Sequence, residues 1–440
     1  MAVSSDARER YLARFADFER HLNGARRSPV HARRRTALAR FAEHGFPTAR
    51  DEDWRQTSLA ALTRLEFAPA TADAFPAAAE IERFALPALG GTQLVFIDGI
   101  YAPSLSTVAA LPSGVVAMSL AQALEERPEL LEELGRHAVE EDQPFTALNT
   151  AFLGDGAFVH LPEGTGITEP IHLHFLAGST NTPTLCHPRV LILVGPGARG
   201  TVVESYAGGD GVPRLTNAVT EIALGEGADL DYYRVQQEGS ATFHLADLGV
   251  SEARDARFRA SSFALGSGLA RHQVRTVLDG EGIESTLNGL YLAGGEQHLA
   301  NHTLVEHRQP HGVSHELYKG ILTDRATAVF RGRILVHQAA QQTDAYQANR
   351  NLLLSAEAEV SAQPQLEIYA DDVKCSHGAT VGRLDDEALF YLRSRGIGQA
   401  DAVRVLTRAF AGEIVDRVRP AALREYLAER VGERLATGRP

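Results

Sequence analysis

Cysteine is scarce in this chain of 440 residues, and long apolar runs are missing. The two cysteines, Cys186 and Cys375, are too few for a disulfide framework, which indicates a protein of a reducing compartment. A run of 18 or more apolar residues, the length that spans a bilayer, does not occur in the sequence. Residues 1–14 carry several charges and no apolar block, unlike a secretory signal, so the sequence predicts a cytoplasmic protein.

Positive charge is also in short supply, since the formal net charge is -13 at pH 7. A nucleic-acid partner normally requires a basic surface, so the composition argues against one. Arginines do cluster near the N-terminus, and we interpret this cluster as a solvated helix face. The cluster consists of Arg26, Arg27, Arg33, Arg34 and Arg35.

Residues 1–90 are predicted to form a helical region that ends in a linker. Apolar side chains recur every three to four positions from Tyr11 to Leu22, which is typical of one helix face. A second helix is predicted from His31 to Glu43, ahead of Gly45. The residues at positions 68–79 are rich in alanine and proline, as linkers often are.

Residues 91–382 are predicted to form a mainly β core, with a helical insert near residues 118–139. Apolar runs in this core alternate with glycine pairs, the first three of which lie 31 and 30 residues apart. Short strands between glycine turns at a fixed period favour a β-solenoid, in which each coil buries its face on the next. A β-sandwich is the alternative, because it also has short strands and frequent turns. The glycine pairs are Gly164/Gly166, Gly195/Gly197 and Gly225/Gly227, continued less regularly by Gly266/Gly268 and Gly280/Gly282.

Residues 383–440 return to a helical pattern. Acidic residues at 385–387 are typical of a helix start, and Gly396 of a helix end. A second helix is predicted from Gln399 to Val418, and a third from Ala421 to Leu435. The second helix carries an apolar stripe that either packs on the β core, which is the default, or binds a partner. The stripe consists of Val403, Leu406, Phe410 and Ile414.

Cys375 and His377 are the strongest candidates for a functional site. Residues two apart in a strand share a face, roughly 6.5–7 Å apart at the backbone, and Val373 and Ala379 are predicted to share that face. Thiolate and imidazole together suit iron or zinc. A complete site needs about four ligands, so this pair requires other side chains, a second protein or an open coordination position. The alternative is a small packed cysteine beside a hydrogen-bonded histidine.

The other candidates are weaker. A Cys375–His377 nucleophile is disfavoured, because neighbouring strand positions rarely give the required hydrogen bond. Cys186 is interpreted as structural. Five histidines occur within the 18 residues from His298 to His315, but their spacing fits no defined metal template, so we expect mixed structural roles, with metal binding as the alternative. The glycine pairs lack the following Lys-Ser/Thr of a phosphate loop, so nucleotide binding is not expected.

Motifs along nearly the whole chain resemble the SufB/SufD family, the scaffold subunits of the Suf iron–sulfur cluster assembly machinery. The resemblance begins with Asp-Glu-Asp-Trp at residues 51–54 and continues through residues 148–156 and 343–347. It is most specific at residues 372–378 and 389–396. The Cys-Ser-His sequence in the first of these two stretches replaces the Glu-His-Glu-like sequence expected of the SufB branch, so the chain is more similar to the SufD branch.

The resemblance implies a right-handed parallel β-helix, flanked by helices and paired through its core with a SufB-like paralogue. It implies that helices within residues 385–418 bind a SufC-like ABC-type ATPase, in a complex of one SufB, one SufD and two SufC. It also implies a transient iron–sulfur cluster at the SufB–SufD interface, with His377 and the nearby Cys375 as metal ligands. The chain is then no enzyme, holds no tightly bound cofactor when isolated, and has homodimerisation as an alternative when the paralogue is absent.

Two other hypotheses stay open on the sequence. One is a β-helix enzyme acting on polysaccharide, although no acidic cluster is evident and a secretory signal is not seen. The other is an interaction module in which Cys375 and His377 are inert.

Overall fold

The structure, a computed structural model, describes residues 2–22, 29–70, 76, 78–86, 89–127, 129, 132–138 and 143–436. The helices are α1 (Ala2–His21), α2 (Pro29–His44), α3 (Ala60–Arg64), α4 (Ala78–Phe84), α5 (Leu120–Glu126), α6 (Pro144–Ala151), α7 (Asp386–Ser394), α8 (Gln399–Val415) and α9 (Ala421–Ala436). Helices therefore dominate both ends of the chain, and strands the middle.

The strands begin with short segments and lengthen along the chain. They are β1 (Ala68–Pro69), β2 (Gln93–Ile97), β3 (Ile100–Tyr101), β4 (Val116–Ser119), β5 (Gly156–Leu161), β6 (Ile171–Leu176), β7 (Thr184–Cys186), β8 (Arg189–Val194), β9 (Arg199–Ala207), β10 (Arg214–Leu224), β11 (Asp229–Gln237), β12 (Thr242–Glu252), β13 (Arg257–Ala264), β14 (Leu269–Leu278), β15 (Glu284–Ala293), β16 (His298–His307), β17 (Val313–Leu322), β18 (Thr327–Val336), β19 (Thr343–Leu353), β20 (Glu359–Ile368) and β21 (Val373–Gly382).

Two long, mainly parallel sheets make up the core. Sheet A has the order β20-β18-β16-β14-β12-β10-β8-β5-β4, and sheet B the order β21-β19-β17-β15-β13-β11-β9-β6-β2-β3. Successive strands from β5 onward, apart from the short β7, alternate between the sheets, and each pairs in parallel with its counterpart one coil away. This is a parallel β-solenoid of about eight coils, from β5/β6 to β20/β21. The solenoid prediction is confirmed, and the sandwich alternative is wrong. The right hand of the solenoid stays a prediction.

Glycines allow the turns at one edge of the solenoid to stack. Gly164, Gly197 and Gly227 have φ of 66°, 63° and 65°, a left-handed conformation that costs glycine little. Each donates its N–H to a carbonyl one coil further on, as Gly164 does to Pro196 at 2.8 Å. The pair Gly266/Gly268 lies instead between β13 and β14, at the opposite edge, which explains its irregular spacing.

The interior of the solenoid contains a stack of in-register side chains. Ile192, Ile222 and Val250 come from consecutive coils of sheet A and are buried one above the other. Inward polar groups also pair with one another: the Glu204 carboxylate accepts hydrogen bonds from Thr220 and Tyr232, each 2.9 Å long. Burial without such partners costs free energy, so these bonds hold the polar part of the interior in one arrangement.

Helices cover the outer face of each sheet. The core cluster outside sheet A joins α1, α2 and α6 to that sheet, and the Arg271 guanidinium lies 4.1 Å from the Trp54 ring centre. The cluster outside sheet B joins α8 and α9 to that sheet. The Glu413 carboxylate of α8 accepts from Lys319 at 2.6 Å and from Arg350 at 3.3 Å. These contacts fix α8 across strands β17 and β19.

The predicted C-terminal helices agree with the structure. Asp385 accepts a hydrogen bond from the Glu387 N–H at the start of α7, and Gly396, with φ of 86°, follows its end. In α8, Ile414 of the predicted stripe is buried, but Val403, Leu406 and Phe410 are only half-buried. The most buried face of α8 is carried by smaller residues such as Ala402 and Ala411, because the helix lies close against its neighbours.

Three expectations for the N-terminal half need correction. Arg34 is not on a solvated face: it is buried and donates to the Leu153 carbonyl at 2.9 and 2.5 Å, and burial lowers its pKa to about 10. Arg26 and Arg27 lie outside the described residues.

Where the sequence predicts a helix at residues 118–139, the structure has the end of β4 and then α5, because Ser119 caps a helix start by accepting from Gln122. The predicted linker at 68–79 begins with β1 and ends with the first two residues of α4, and residues 71–75 and 77 lie outside the described residues.

We expect the titration of Glu252 to contribute to the pH dependence of the free energy of unfolding. This carboxyl is fully buried, accepts from Thr276 at 2.5 Å, and has its pKa raised to about 8 by burial. The folded chain thus holds this proton more tightly than the unfolded chain, so the contribution of Glu252 to stability is lost as pH rises from about 4.3 to 8. Glu252→Gln has no such proton to lose. Relative to the natural chain, we expect the free energy of unfolding of Glu252→Gln to rise by on the order of 1–3 kcal/mol from pH 5 to pH 8. Denaturant titrations at the two pH values measure this difference.

Glu284→Gln, at an exposed glutamate on β15, is the matched control and should show no such pH-dependent gain. An equal effect of Glu252→Gln at both pH values would show that the buried carboxyl does not titrate as described.

Candidate functional site

The two predicted site residues lie on the last strand of the solenoid. β21 pairs with β19 along its full length, with Ala345 opposite Cys375 and Gln347 opposite His377. Among the described strands, β21 ends the order of sheet B and β20 ends that of sheet A. Their outer edges therefore form what we call the open end of the solenoid, made by residues 359–368 and 373–382.

Cys375 points into the solenoid at this open end. It is half-buried and, with Val373, packs against the interior core cluster, as the alternation of the strand predicts. Burial raises the pKa of its thiol, opposed by a backbone hydrogen bond with Ala345 and reinforced by the Asp344 carboxylate. A thiol in this state is a poor nucleophile without a metal or another cation beside it, which weighs further against the Cys–His nucleophile.

His377 is exposed, although it shares the inward face with Cys375 by strand parity. The solenoid interior is open at this level, because the next coil is not supplied by the described chain. The structure places the two residues on one strand face but shows no hydrogen bond between them. Within the described ranges, no group of three or more His, Cys, Asp or Glu side chains is arranged to hold a metal ion. Cys375 and His377 therefore lie on one strand face at the open end, and their role as metal ligands stays a prediction.

The five histidines from His298 to His315 do not form one site. His298 hydrogen-bonds to Thr57 at 2.9 Å and Thr327 at 2.8 Å, and burial lowers its pKa to about 4. The others are divided between two faces of sheet A, a turn and the outside of sheet B: His302 contacts Arg271, His307 contacts Ser314, His311 has φ of 61°, and His315 is exposed. The structure thus shows structural roles for His298, His302 and His307, whereas His311 and His315 are exposed.

Cys186 lies far along the solenoid from the open end, on β7. Its sulfur lies 3.9 Å from the Thr216 hydroxyl, and burial, with the carboxylates of Asp98 and Glu238 nearby, raises the pKa of the thiol well above its usual range. This environment keeps Cys186 protonated and fits the structural role predicted for it.

Two groups of exposed apolar residues were not identified from the sequence. Tyr369 and Val381 are exposed at the open end, and Phe390 and Tyr391 of α7 have 73% and 57% of their surface exposed. Every residue of α7 is at least partly exposed, and the helix contacts α8. In the sequence these residues look like ordinary apolar positions of a helix or strand. Their exposure can be recognised only once the positions of the neighbouring elements are known.

Comparison with known proteins gives two matching family models that together cover most of the chain. The model described as "SUF system FeS cluster assembly, SufBD core domain" matches residues 175–410, and that of the SufBD protein N-terminal region matches residues 5–173. The chain belongs to the SufBD family. The resemblance seen in the motifs is thereby confirmed.

Curated relatives within this family have sequences similar to most of the chain. An iron–sulfur cluster assembly SufBD family protein of Synechocystis is 37% identical over 87% of this chain and 86% of its own length. The iron–sulfur cluster assembly protein SufD of Escherichia coli is 33% identical over 94% of this chain and 95% of its own. The SufD of Bacillus subtilis is 28% identical over 69% of this chain and 70% of its own. These relatives support the prediction that the chain is similar to the SufD branch. They favour a role in iron–sulfur cluster assembly over the alternative of a polysaccharide-active enzyme.

One finding bears on membranes. Of the helices in the described ranges, none has the length and apolar character needed to cross a bilayer.

The environments of the two thiols predict different reactivities. Because Cys375 lies at the open end and the pKa of the Cys186 thiol is raised much further, we expect iodoacetamide to modify Cys375 first. Both should react more slowly than free cysteine at neutral pH. Peptide mass spectrometry over a time course measures each rate, and Cys375→Ser identifies the signal of Cys186. Faster modification of Cys186, or a Cys375 as reactive as a free thiol, would contradict these environments.

Proposed function

We propose that the chain is a non-enzymatic scaffold on which a nascent iron–sulfur cluster is assembled at an interface with a SufB-like paralogue in the cytoplasm. The observation that supports this most strongly is the position of Cys375 and His377 at the open end, where a second protein can reach them. Iron accepts both thiolate and imidazole ligands, and a cluster needs more ligands than this pair supplies. The cluster is cargo, held transiently by ligands from both chains, and the isolated chain keeps no tightly bound cofactor.

The open end also suits the paralogue sterically and chemically. Two adjacent strand edges present backbone N–H and C=O groups that further strands can pair with. Exposed Ile368, Tyr369 and Val381 add apolar surface beside those edges. A paralogue with the same solenoid would present the same kind of edges, so the two stacks can continue into one another. A homodimer through the same surface is the expected alternative when the paralogue is absent.

The second partner is a SufC-like ABC-type ATPase bound by α7 and α8. Phe390 and Tyr391 are large aromatic side chains on a helix that contributes little to the core of its own chain. Aromatic side chains of this kind often carry most of the binding energy of an interface. The acidic residues Asp385 and Asp386 lie beside them and leave room for a basic contact from the partner.

Replacing His377 tests the proposed site directly. We expect His377→Ala to lower the iron and sulfide content of complexes purified anaerobically, because one ligand is lost, while native mass spectrometry still shows the paralogue and the ATPase. His315→Ala is the matched control, since His315 is also exposed on sheet B but on its outer face.

An unchanged cluster content in His377→Ala would make the site assignment wrong. Full assembly in the double variant Cys375→Ala/His377→Ala would support the inert interaction module instead.

Replacing the α7 aromatics tests the ATPase surface. The double variant Phe390→Ala/Tyr391→Ala should lose ATPase copies in native mass spectrometry and keep the paralogue, since truncated hot-spot residues cost about 2 kcal/mol or more each. Val108→Ala removes a similarly exposed apolar side chain elsewhere on the chain and should lose nothing. ATPase binding at unchanged affinity in the double variant would place the contact on another surface.

A further inference from the structure

Directly behind His377, the inner face of sheet B carries two polar side chains in register. Glu316 on β17 is opposite Gln347 on β19, and Gln347 is opposite His377 on β21. Adjacent strands lie roughly 4.8 Å apart, so each of these side chains is the nearest inward neighbour of the next. Glu316 and Gln347 are both buried, whereas His377 is exposed.

The Gln347 amide is held in one orientation. Its Nε2 donates to Glu316 Oε2 at 2.6 Å, on the side away from His377. Gly332 of sheet A lies across the interior and makes room for this amide: a Cβ at position 332 would lie 2.4 Å from Nε2 and 2.7 Å from Cδ. Two strands and a glycine therefore fix where the amide lies.

The other end of the amide lacks a partner. Gln347 Oε1 is buried, and among the described residues no donor forms a hydrogen bond to it. Leaving a buried carbonyl oxygen unpaired costs free energy, so such an atom in a well-packed interior points to a nearby donor that can reach it. The nearest inward side chain on that side is the imidazole of His377, which can donate an N–H. The structure shows no hydrogen bond between the two, so the imidazole has to turn toward Oε1 to form one.

We propose that Gln347 is a positioning residue for His377: its Oε1 accepts the Nδ1–H of the imidazole, so that Nε2 presents its lone pair at the open end. Glu316 holds the amide in the orientation that makes this possible. The step to metal binding rests on the proposed function, since histidine ligands are commonly oriented by a hydrogen bond from their other ring nitrogen. The tautomer itself belongs to the isolated chain and does not depend on a cluster.

The tautomer of His377 is the direct test. In the full chain labelled with ¹⁵N-histidine, long-range ¹H–¹⁵N correlation at about pH 8, above the usual imidazole pKa of about 6.5, distinguishes Nδ1–H from Nε2–H rings. We expect His377 to be mainly Nδ1–H, and exposed His315 to show the Nε2–H form that free histidine prefers. A His377 ring in the same form as His315 overturns the proposal without any variant being needed.

Two variants separate this role from a general effect on folding. Gln347→Leu removes the acceptor oxygen and should return His377 to the Nε2–H form. Gln365→Leu, at an exposed glutamine on β20, is the matched control and should change nothing. A Nδ1–H ring that persists in a folded Gln347→Leu chain would also overturn the proposal.

Cluster content then distinguishes this inference from the function it rests on. If the proposed function and the role of Gln347 are both correct, Gln347→Leu lowers the cluster content of complexes purified anaerobically. Loss of a hydrogen-bond partner of a metal ligand typically costs about 10-fold or more in metal affinity, so we expect a loss of about 10-fold. An ordinary tautomer together with a loss of cluster in His377→Ala removes only the role of Gln347. The expected tautomer with no loss of cluster in His377→Ala removes the proposed function and leaves the hydrogen bond.

Discussion

Each coil of a parallel solenoid leaves a row of backbone N–H and C=O groups for the next coil to pair, so the stack has to end with a row that its own chain does not pair. At the N-terminal end, β3 and β4 lie antiparallel to their neighbours and close the two sheets. At the other end β20 and β21 remain the outermost described strands. Cys375 and His377, the proposed ligands, lie on this end, where the strand edges are free to pair with another surface.

The same strands connect the interior of the open end with the helices outside. β17 carries Glu316 on its inner face and Lys319 on its outer face, and β19 carries Gln347 inside and Arg350 outside. Lys319 and Arg350 both hold Glu413 of α8, while Glu316 and Gln347 lie behind His377. The strands β17 and β19 thus hold α8 on their outer faces and carry the two polar side chains behind His377 on their inner faces.

How far the sequence predicts this arrangement depends on the range of the interactions. Glycine turns, helix caps and strand parity are local signals, and they correctly placed the solenoid, α7 and the inward face of Cys375. Arg34 could not be placed, because its burial depends on the Leu153 carbonyl far along the chain. Glu316 and Gln347 were not identified from the sequence for the same reason. Their spacing was a usable signal, because Gln347 follows Glu316 by 31 residues and His377 follows Gln347 by 30, which is the coil period of the glycines.

The proposed function depends on a histidine of this chain binding the cluster. The most direct measurement is pulsed EPR of the reduced cluster in a complex where only this chain carries ¹⁵N-histidine. We expect a ¹⁵N hyperfine coupling that disappears in His377→Ala. A cluster assembled at full content without any such coupling would contradict the proposed function, and would show that the ligands come from the partner or from other side chains.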